Sequence, residues 1–125
     1  MCFTRQNLSR ALIAETAIVC YKLLRKSPNS ISSPYKRRYK WNNKKLRKGK
    51  LDEGDNYSIN NGFHSFIAIK NAVYYTRGMY NKYDLWIYKM VIPKGSKYFK
   101  NRTQYVSNQI RLASKTPIQS ILKKK

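Results

Sequence analysis

The sequence predicts a small single α+β domain over residues 1–125, with a mixed or antiparallel sheet and one or two helices. Three observations predict it. The chain of 125 residues has room for one modest core, it contains two apolar segments of strand type, and a segment with helical spacing lies between them. Hydrophobic residues make up 42% of the chain, so its composition is not that of a disordered protein. The order strand, basic insert, helix, strand, strand is typical of the α+β class.

The first part of the chain predicts one helix, one strand and one loop. The segment "LSRALIAE" (8–15) has the pattern of a short helix capped by Ser9. The next segment, "AIVCYKLL" (17–24), is apolar and β-branched, which favours a buried strand. The Ser- and Pro-rich segment "SPNSISSP" (27–34) predicts a loop.

The second part predicts a helix and then two strands. Residues 65–78 have Phe66, Ile69 and Val73 at helical spacing, with Ser65 as the N-cap and Gly78 as the stop. The segment "YDLWIYKMVI" (83–92) is apolar on both faces and aromatic, which predicts a central strand. A turn at Pro93 and Gly95, a further strand over 103–112 and a short basic tail over 113–125 follow.

A basic insert at residues 35–50 interrupts this order. It is rich in Lys and Arg, contains no acid, and includes interleaved Tyr and Trp residues. Charge runs are often solvated loops or sheet edges, but cations bind phosphates and aromatic rings stack on bases, so a nucleic-acid surface is the second interpretation. The candidate nucleic-acid-binding residues are Lys36, Arg37, Arg38, Lys40, Trp41, Lys44, Lys45, Arg47 and Lys48.

The charge balance of the whole chain points to the same class of partner. There are 27 Lys and Arg residues against 5 Asp and Glu, which gives a formal net charge of +22. Such a chain attracts polyanions, and nucleic acid or another polyanion is the expected partner. No run of residues has the length of a membrane span or the pattern of a signal peptide.

Metal and disulfide chemistry are not predicted. Zinc requires about four ligands, and the chain has two cysteines, Cys2 and Cys20, without a CxxC pair, and one histidine. Unpaired cysteines predict a reducing, cytosolic setting. No phosphate-binding loop or dinucleotide fingerprint is present, so no cofactor is predicted.

The single histidine, His64 in "GFHSF" (62–66), has two interpretations. One is a residue that orients the start of the predicted helix through a backbone hydrogen bond, and the other is a pocket residue. General acid–base catalysis requires a carboxylate or nucleophile within reach, and no nucleophile elbow is present. We therefore expect His64 to shape or line a pocket.

The segment "GFHSFIAIKNAVYY" (62–75) resembles the central part of the ADP-ribosyltransferase superfamily, and "IVCYKLL" (18–24) is similar to the first strand of that fold. The resemblance implies an ADP-ribosyltransferase-like sheet and a pocket for a nucleotide ligand. It also implies the following candidate pocket residues: Tyr21, Lys22, His64, Ser65, Phe66, Tyr74 and Gln104. The family's catalytic glutamate has no counterpart, because no Asp or Glu follows Asp84 and the nearest positions hold Gln104 or Gln109. An amide does not supply the missing charge, so the resemblance implies a copy without catalytic residues.

A second resemblance covers more of the chain. The strings "CYK" (20–22), "SPY" (33–35), "GFHSF" (62–66) and "IPKGSKY" (92–98), with a Tyr-x-Ser-Asn-x-Ile ending, are similar to small proteins of tailed, crAss-like phages of gut bacteria. This resemblance implies a phage origin and a location in the host cytoplasm or the virion.

The expected function is that of a phage-encoded, non-enzymatic binding protein with a basic surface for nucleic acid or another polyanion. One alternative is an ADP-ribosyltransferase that acts on host proteins. Another is a minor virion or packaged structural protein whose charge offsets encapsidated DNA.

Overall fold

Two long antiparallel strands form the centre of the protein. The structure is a computed structural model, and it describes residues 3–4, 11–27, 30–32, 41, 46–51, 58–59, 62–75 and 85–120. The elements in chain order are β1 (Phe3–Thr4), β2 (Leu12–Ile13), β3 (Ile18–Ser27), β4 (Ser30–Ser32), β5 (Arg47–Lys48), β6 (Ser58–Ile59), β7 (Phe63–Phe66), α1 (Ile69–Tyr75), β8 (Leu85–Ile92), β9 (Lys97–Lys100), β10 (Gln104–Ser107), β11 (Gln109–Leu112) and β12 (Gln119–Ser120). The predictions of strands at 17–24 and 83–92 are confirmed by β3 and β8.

The described strands form a large antiparallel sheet. Its order is β2-β9-β10-β7-β3-β8-β11-β5, with β4 paired to β3 and β12 paired to β8, while β1 and β6 form a separate pair. Strands β3 and β8 pair from Ile18 opposite Ile92 to Arg25 opposite Leu85. The described part of the fold is therefore mostly β with one short helix, and the predicted α+β balance is corrected in this respect.

One apolar cluster brings distant strands of the sheet together. Strands β10 and β11 are separated in sequence by Asn108 alone, yet β10 pairs with β7 and β9 while β11 pairs with β8 and β5. Side chains from β10, β11 and the three strands that lie between them in the sheet belong to one apolar cluster, which includes Cys20, Phe63, Met90 and Tyr105. We call the side of the sheet that faces this cluster the inner face and the opposite side the outer face.

The bend at Asn108 is fixed by hydrogen bonds. The Asn108 Oδ1 atom accepts from the backbone N–H of Lys97 at 3.0 Å, and its carbonyl accepts from the N–H of Gly49 at 2.9 Å. The Ser107 hydroxyl donates to the carbonyl of Gln109 at 2.9 Å. The continuous strand predicted over 103–112 is thus two strands, and the bend directs them to different neighbours.

Helix α1 packs on the outer face. Its buried Ala72 contacts a cluster that includes Leu23, Phe66 and Ile87, with Ile69 and Val73 beside it. The predicted helix positions Ile69, Ala72 and Val73 are therefore confirmed, but the predicted start at Ser65 and the helix position of Phe66 are wrong. The predicted stop at Gly78 lies outside the described residues. Residues 63–66 pair with β10 as a strand, and the helix begins at Ile69. The side chain of Asn71 accepts from the N–H of Ala68 at 3.0 Å just before the first turn.

Two further predictions are corrected. Leu12 and Ile13, within the predicted helix 8–15, form a strand on β9. Strand β4 lies within the predicted loop 27–34, because its residues pair back onto β3. The tail at 113–125 includes β12, which pairs with β8. The turn at Pro93 and Gly95 is confirmed, with the N–H of Ser96 donating to the Pro93 carbonyl. The one described helix has seven residues, and no described helix is long and apolar enough to cross a membrane.

Candidate functional site

An open groove of about 960 Å³ lies on the outer face between α1 and the start of β10. We call it the helix groove. It is lined by Phe66, Lys70, Asn71, Val73, Tyr74, Tyr75, Thr103 and Gln104. Three of the predicted pocket residues, Phe66, Tyr74 and Gln104, therefore lie in one groove.

The floor of the helix groove is held by strand pairing. Phe66 of β7 is flanked by Gln104 of β10 on one side and by Tyr21 of β3 on the other. Tyr21 therefore lies beside the groove floor. The N–H of Ile67 donates to the Thr103 carbonyl at 3.0 Å. The rings of Phe66 and Tyr75 contact each other, with centroids 5.4 Å apart. The groove is thus formed where the end of β7 meets the start of β10.

The turn that presents Thr103 and Gln104 is organised by Asn101. Its side-chain Oδ1 accepts from the N–H of Thr103 at 3.0 Å and from that of Gln104 at 2.8 Å. A short polar side chain often closes a turn in this way. The wall of the groove opposite α1 is therefore an ordered turn with a hydroxyl and an amide available to a ligand.

The wall formed by α1 presents an aromatic ring and a cation. Tyr74 is 70% exposed, although large apolar and aromatic side chains are usually more enclosed. Lys70 is also exposed and lies four residues earlier, so the two side chains share one face of the helix. An exposed ring beside a cation is the arrangement on which unpaired bases stack. Sequence reasoning missed Lys70, although its spacing from Tyr74 was a usable signal.

The other predicted pocket residues do not join the helix groove. Lys22 and Ser65 lie on the inner face, because each is one residue from an outer-face side chain and strand side chains alternate. The Lys22 ammonium donates to the His64 carbonyl at 2.8 Å. The side chain of His64 is buried, and the residue belongs to strand β7. The interpretation of His64 as a residue that orients a helix start is therefore wrong. The seven predicted residues are divided between the two faces.

Burial changes the titration of the inner-face groups. It lowers the pKa of Lys22 to about 8 from an ordinary 10.5, against a small opposing effect of Cys20. Burial also raises the pKa of Cys20 from 9.0 to about 11, and the Ser65 hydroxyl and the Lys22 charge only partly oppose this. Near pH 7 the interior thus holds a lysine cation beside a neutral thiol.

These shifts predict a pH-dependent stability. Between pH 8 and 9 the unfolded chain retains the Lys22 proton that the folded chain has released, so the free energy of unfolding should rise with pH. Above pH 9 the unfolded chain loses the Cys20 thiol proton that the folded chain keeps. This group therefore opposes the rise in the free energy of unfolding. We expect a gain of about 1 kcal/mol from pH 8 to 9 in urea unfolding. Lys22→Met should remove it, whereas Lys94→Met, on an exposed turn, should keep it. An equal gain in both variants would contradict the assignment to Lys22.

The described surface is strongly basic. Its exposed Lys and Arg side chains are Lys48, Lys50, Lys70, Lys89, Lys94, Lys97, Lys100, Arg102 and Lys115. Within the described ranges Glu15 is the one acidic residue. The described residues contain no group of three or more His, Cys, Asp or Glu side chains placed to hold a metal ion.

The basic insert is described in part. Lys36, Arg37, Arg38, Lys40, Lys44 and Lys45 lie outside the described residues. Trp41 is 3% exposed, with the Arg47 guanidinium 4.4 Å from its ring centroid and the Phe63 ring packed edge-on at 6.4 Å. The prediction that Trp41 stacks on bases is therefore corrected, because its ring belongs to the core. Lys48 is exposed, and Arg47 is half-buried.

Comparison with protein-family models, curated proteins and solved structures finds no match. The two resemblances therefore stay predictions. The helix groove, the basic surface and the inner face are the features of the described residues that bear on what the chain binds.

Proposed function

We propose that the protein is a non-enzymatic binder of nucleic acid, with the helix groove as the contact for unpaired bases and the basic surface as the contact for phosphates. The observation that carries the proposal is Tyr74, which is 70% exposed beside Lys70 in a chain of net charge +22. Cations next to an exposed aromatic ring are the two elements from which single-strand binding sites are built.

The lining of the helix groove supports this proposal chemically. Phe66, Val73 and Tyr75 supply an apolar floor for a base or sugar, and Asn71 and Gln104 supply amide groups for its polar edge. Stacking is tolerant of sequence because every base has a π face. We therefore infer binding with little sequence preference.

The same lining favours binding over catalysis. Its polar groups are amides, a hydroxyl, a phenol and an ammonium, which donate and accept hydrogen bonds. General acid–base catalysis near neutral pH usually uses a group with a pKa close to the working pH. The non-enzymatic assignment is thus part of the proposal and rests on this donor set.

A substitution in the groove tests the site. Tyr74→Ala should weaken binding of a short single-stranded oligonucleotide by about 1–3 kcal/mol, the range for one stacked base. Tyr74→Phe keeps the ring and should bind nearly as well. Fluorescence anisotropy with a labelled oligonucleotide measures both variants. If Tyr74→Ala binds like the unmodified protein, the helix groove is not the base contact.

A nucleotide in the helix groove is the second candidate. It is favoured by Phe66, Tyr74 and Gln104, three residues that the ADP-ribosyltransferase resemblance places in a nucleotide pocket and that lie together here. On this proposal the finer fold is ADP-ribosyltransferase-like and NAD should compete with the oligonucleotide. Transfer of ADP-ribose to host proteins is not expected, because residues 85–125 contain no carboxylate to replace the family's glutamate. Labelling of host lysate from NAD would overturn that expectation.

The biological setting is a further part of the proposal. The resemblance to proteins of crAss-like phages supports a phage origin and action in the host cytoplasm. A packaged virion protein is the alternative, since a charge of +22 also suits contact with encapsidated DNA. Detection of the protein in purified virions by mass spectrometry would favour the packaged role.

A further inference from the structure

A row of polar side chains crosses the inner face of the sheet. Tyr105 lies opposite Ser65 in the pairing of β10 with β7, and Lys22 lies opposite Tyr88 in the pairing of β3 with β8. Because Tyr21 pairs with Phe66, the antiparallel register also sets Lys22 beside Ser65. Four neighbouring strands thus place a phenol, a hydroxyl, an ammonium and a second phenol at one level of an otherwise apolar interior.

The Ser65 hydroxyl lies near the Cys20 thiol, whose pKa it lowers, but no hydrogen bond forms between them. Within the described residues, three buried polar atoms have no hydrogen-bond partner: Trp41 Nε1, Ser65 Oγ and Tyr88 Oη. Their residues are 3%, 0% and 0% exposed. Unpaired buried polar atoms are uncommon, since each costs the free energy of its lost hydration. The Trp41 ring centroid is 6.0 Å from the Lys22 ammonium. Ser65 and Tyr88 are the neighbours of Lys22 in the two adjacent strands, so all three residues lie in the vicinity of one cation.

The row is rich in hydrogen-bond donors. The Trp41 indole N–H and the Lys22 ammonium are donors only, and the hydroxyls of Ser65, Tyr88 and Tyr105 each carry a proton to donate beside an uncharged acceptor oxygen. One of the three ammonium protons is used by the His64 carbonyl. Within the described ranges no carboxylate other than that of exposed Glu15 is present to pair with the Lys22 charge. Removing a cation from water without a counter-charge is costly, and among the described residues the row holds no acceptor that carries negative charge.

We propose that this row is a binding site for a small oxyanion, held by Lys22 with Ser65, Tyr88 and Trp41 as hydrogen-bond donors. A phosphate or carboxylate group supplies only acceptors and a negative charge, which is what the row lacks. Lys22 is half-buried, whereas the other three donors are enclosed. The oxyanion therefore enters from the side of Lys22. The site lies on the opposite face of the sheet from the helix groove and does not depend on nucleic-acid binding.

The groups that face the row set its pH range. Lys22 is protonated below a pKa of about 8. The Cys20 thiol, with its pKa raised to about 11, and the Tyr88 and Tyr105 phenols, whose pKa values burial also raises, remain neutral in the same range. The Arg47 guanidinium lies 4.4 Å from the centroid of the Trp41 ring. Oxyanion binding is therefore expected below pH 8 and should weaken above it.

Calorimetric titration with inorganic phosphate and, separately, with acetate tests the site, at constant ionic strength set with chloride. We expect saturable one-to-one binding of at least one of them at pH 7. Tyr88→Phe, which removes one donor with little change of shape, should weaken it about tenfold or more. Ser65→Ala should act in the same direction, and Lys22→Met should abolish binding. Lys94→Met removes one exposed charge and should leave binding unchanged.

The variants separate this site from the basic surface. Binding that persists in Lys22→Met and in Tyr88→Phe would belong to exposed lysines and would overturn the proposal. If neither anion binds to the unmodified protein, the three donors are satisfied by water and the proposal is also overturned. If Lys22→Met does not fold, the Ser65→Ala and Tyr88→Phe titrations decide. Phosphate binding without acetate binding assigns a phosphate group to the site, and the reverse assigns a carboxylate.

Discussion

The affinity of the protein for a single-stranded oligonucleotide should fall by about 10³-fold when the salt concentration rises from about 50 to about 200 mM. The physical reason is that each phosphate contacted by Lys or Arg releases a condensed counterion. The described surface has nine exposed Lys and Arg residues, and the whole chain has 27 Lys and Arg residues. Filter binding or anisotropy at four or five salt concentrations gives the slope of log affinity against log salt.

The basic insert should account for a measurable share of that slope. Replacing Arg37, Arg38, Lys44 and Lys45 by Ser should reduce its magnitude by up to about 3, at roughly 0.7 per lost contact on a single strand. The control is the double variant with Lys94→Ser and Lys115→Ser, which lie elsewhere in the chain. For each charge removed, it should reduce the salt slope by less than the quadruple variant does. Binding that is insensitive to salt, or a quadruple variant with an unchanged slope, would contradict the role of the insert.

Gly62→Ala should destabilise the protein by about 4 kcal/mol, because two independent costs of roughly 1–3 kcal/mol each apply at this residue. Gly62 has a φ of 132°, a conformation that L residues rarely adopt. An added Cβ atom would also lie 2.6 Å from Val106 Cγ2 and 2.8 Å from Leu51 Cδ1. Val106 is fully buried, so it has little room to move.

Gly95→Ala is the matched control for this prediction. Gly95 also has a positive φ, of 90°, but an added Cβ atom there would meet no atom within 4 Å. Only the conformational cost of about 1–2 kcal/mol should appear. Urea unfolding of both variants measures the difference. Equal losses would show that the contacts with Val106 and Leu51 do not limit the packing around β7.

The two central strands could be predicted from the sequence because their patterns are local. Strands β3 and β8 are long, apolar and rich in β-branched or aromatic residues, and both are central in the sheet. The face of α1 was also predictable, since Ile69, Ala72 and Val73 follow helical spacing. In each case the information lies within about ten consecutive residues.

Strand β7 could not be predicted in the same way. It has four residues and depends on pairing with β10, some forty residues later in the chain. A Ser followed by an apolar helical pattern looks like an N-cap, and this local signal favoured a helix start at Ser65. Long-range pairing overrides such local preferences. The same applies to Trp41, whose backbone N–H donates to the Ile31 carbonyl at 2.7 Å and whose ring joins the core.

The candidate site was predicted in part for the same reason. Phe66, Tyr74 and Gln104 were identified and lie together in the helix groove. Lys22 and Ser65 were assigned to the same pocket but face the other side of the sheet. Residues 65 and 66 would share a pocket at a helix start, but they alternate in a strand. The error in the secondary structure of β7 therefore became an error in the composition of the site.

Mapping of backbone amide shifts by NMR during titration with a short single-stranded oligonucleotide shows whether the helix groove is the contact for unpaired bases. If it is, the largest shifts will occur in its two walls, which are α1 (Ile69–Tyr75) and the turn at Thr103 and Gln104. Strand β2, Leu12–Ile13, at the edge of the sheet, serves as the internal reference and should shift little. Shifts absent from the groove but present at exposed lysines elsewhere would contradict the account and assign binding to surface charge alone.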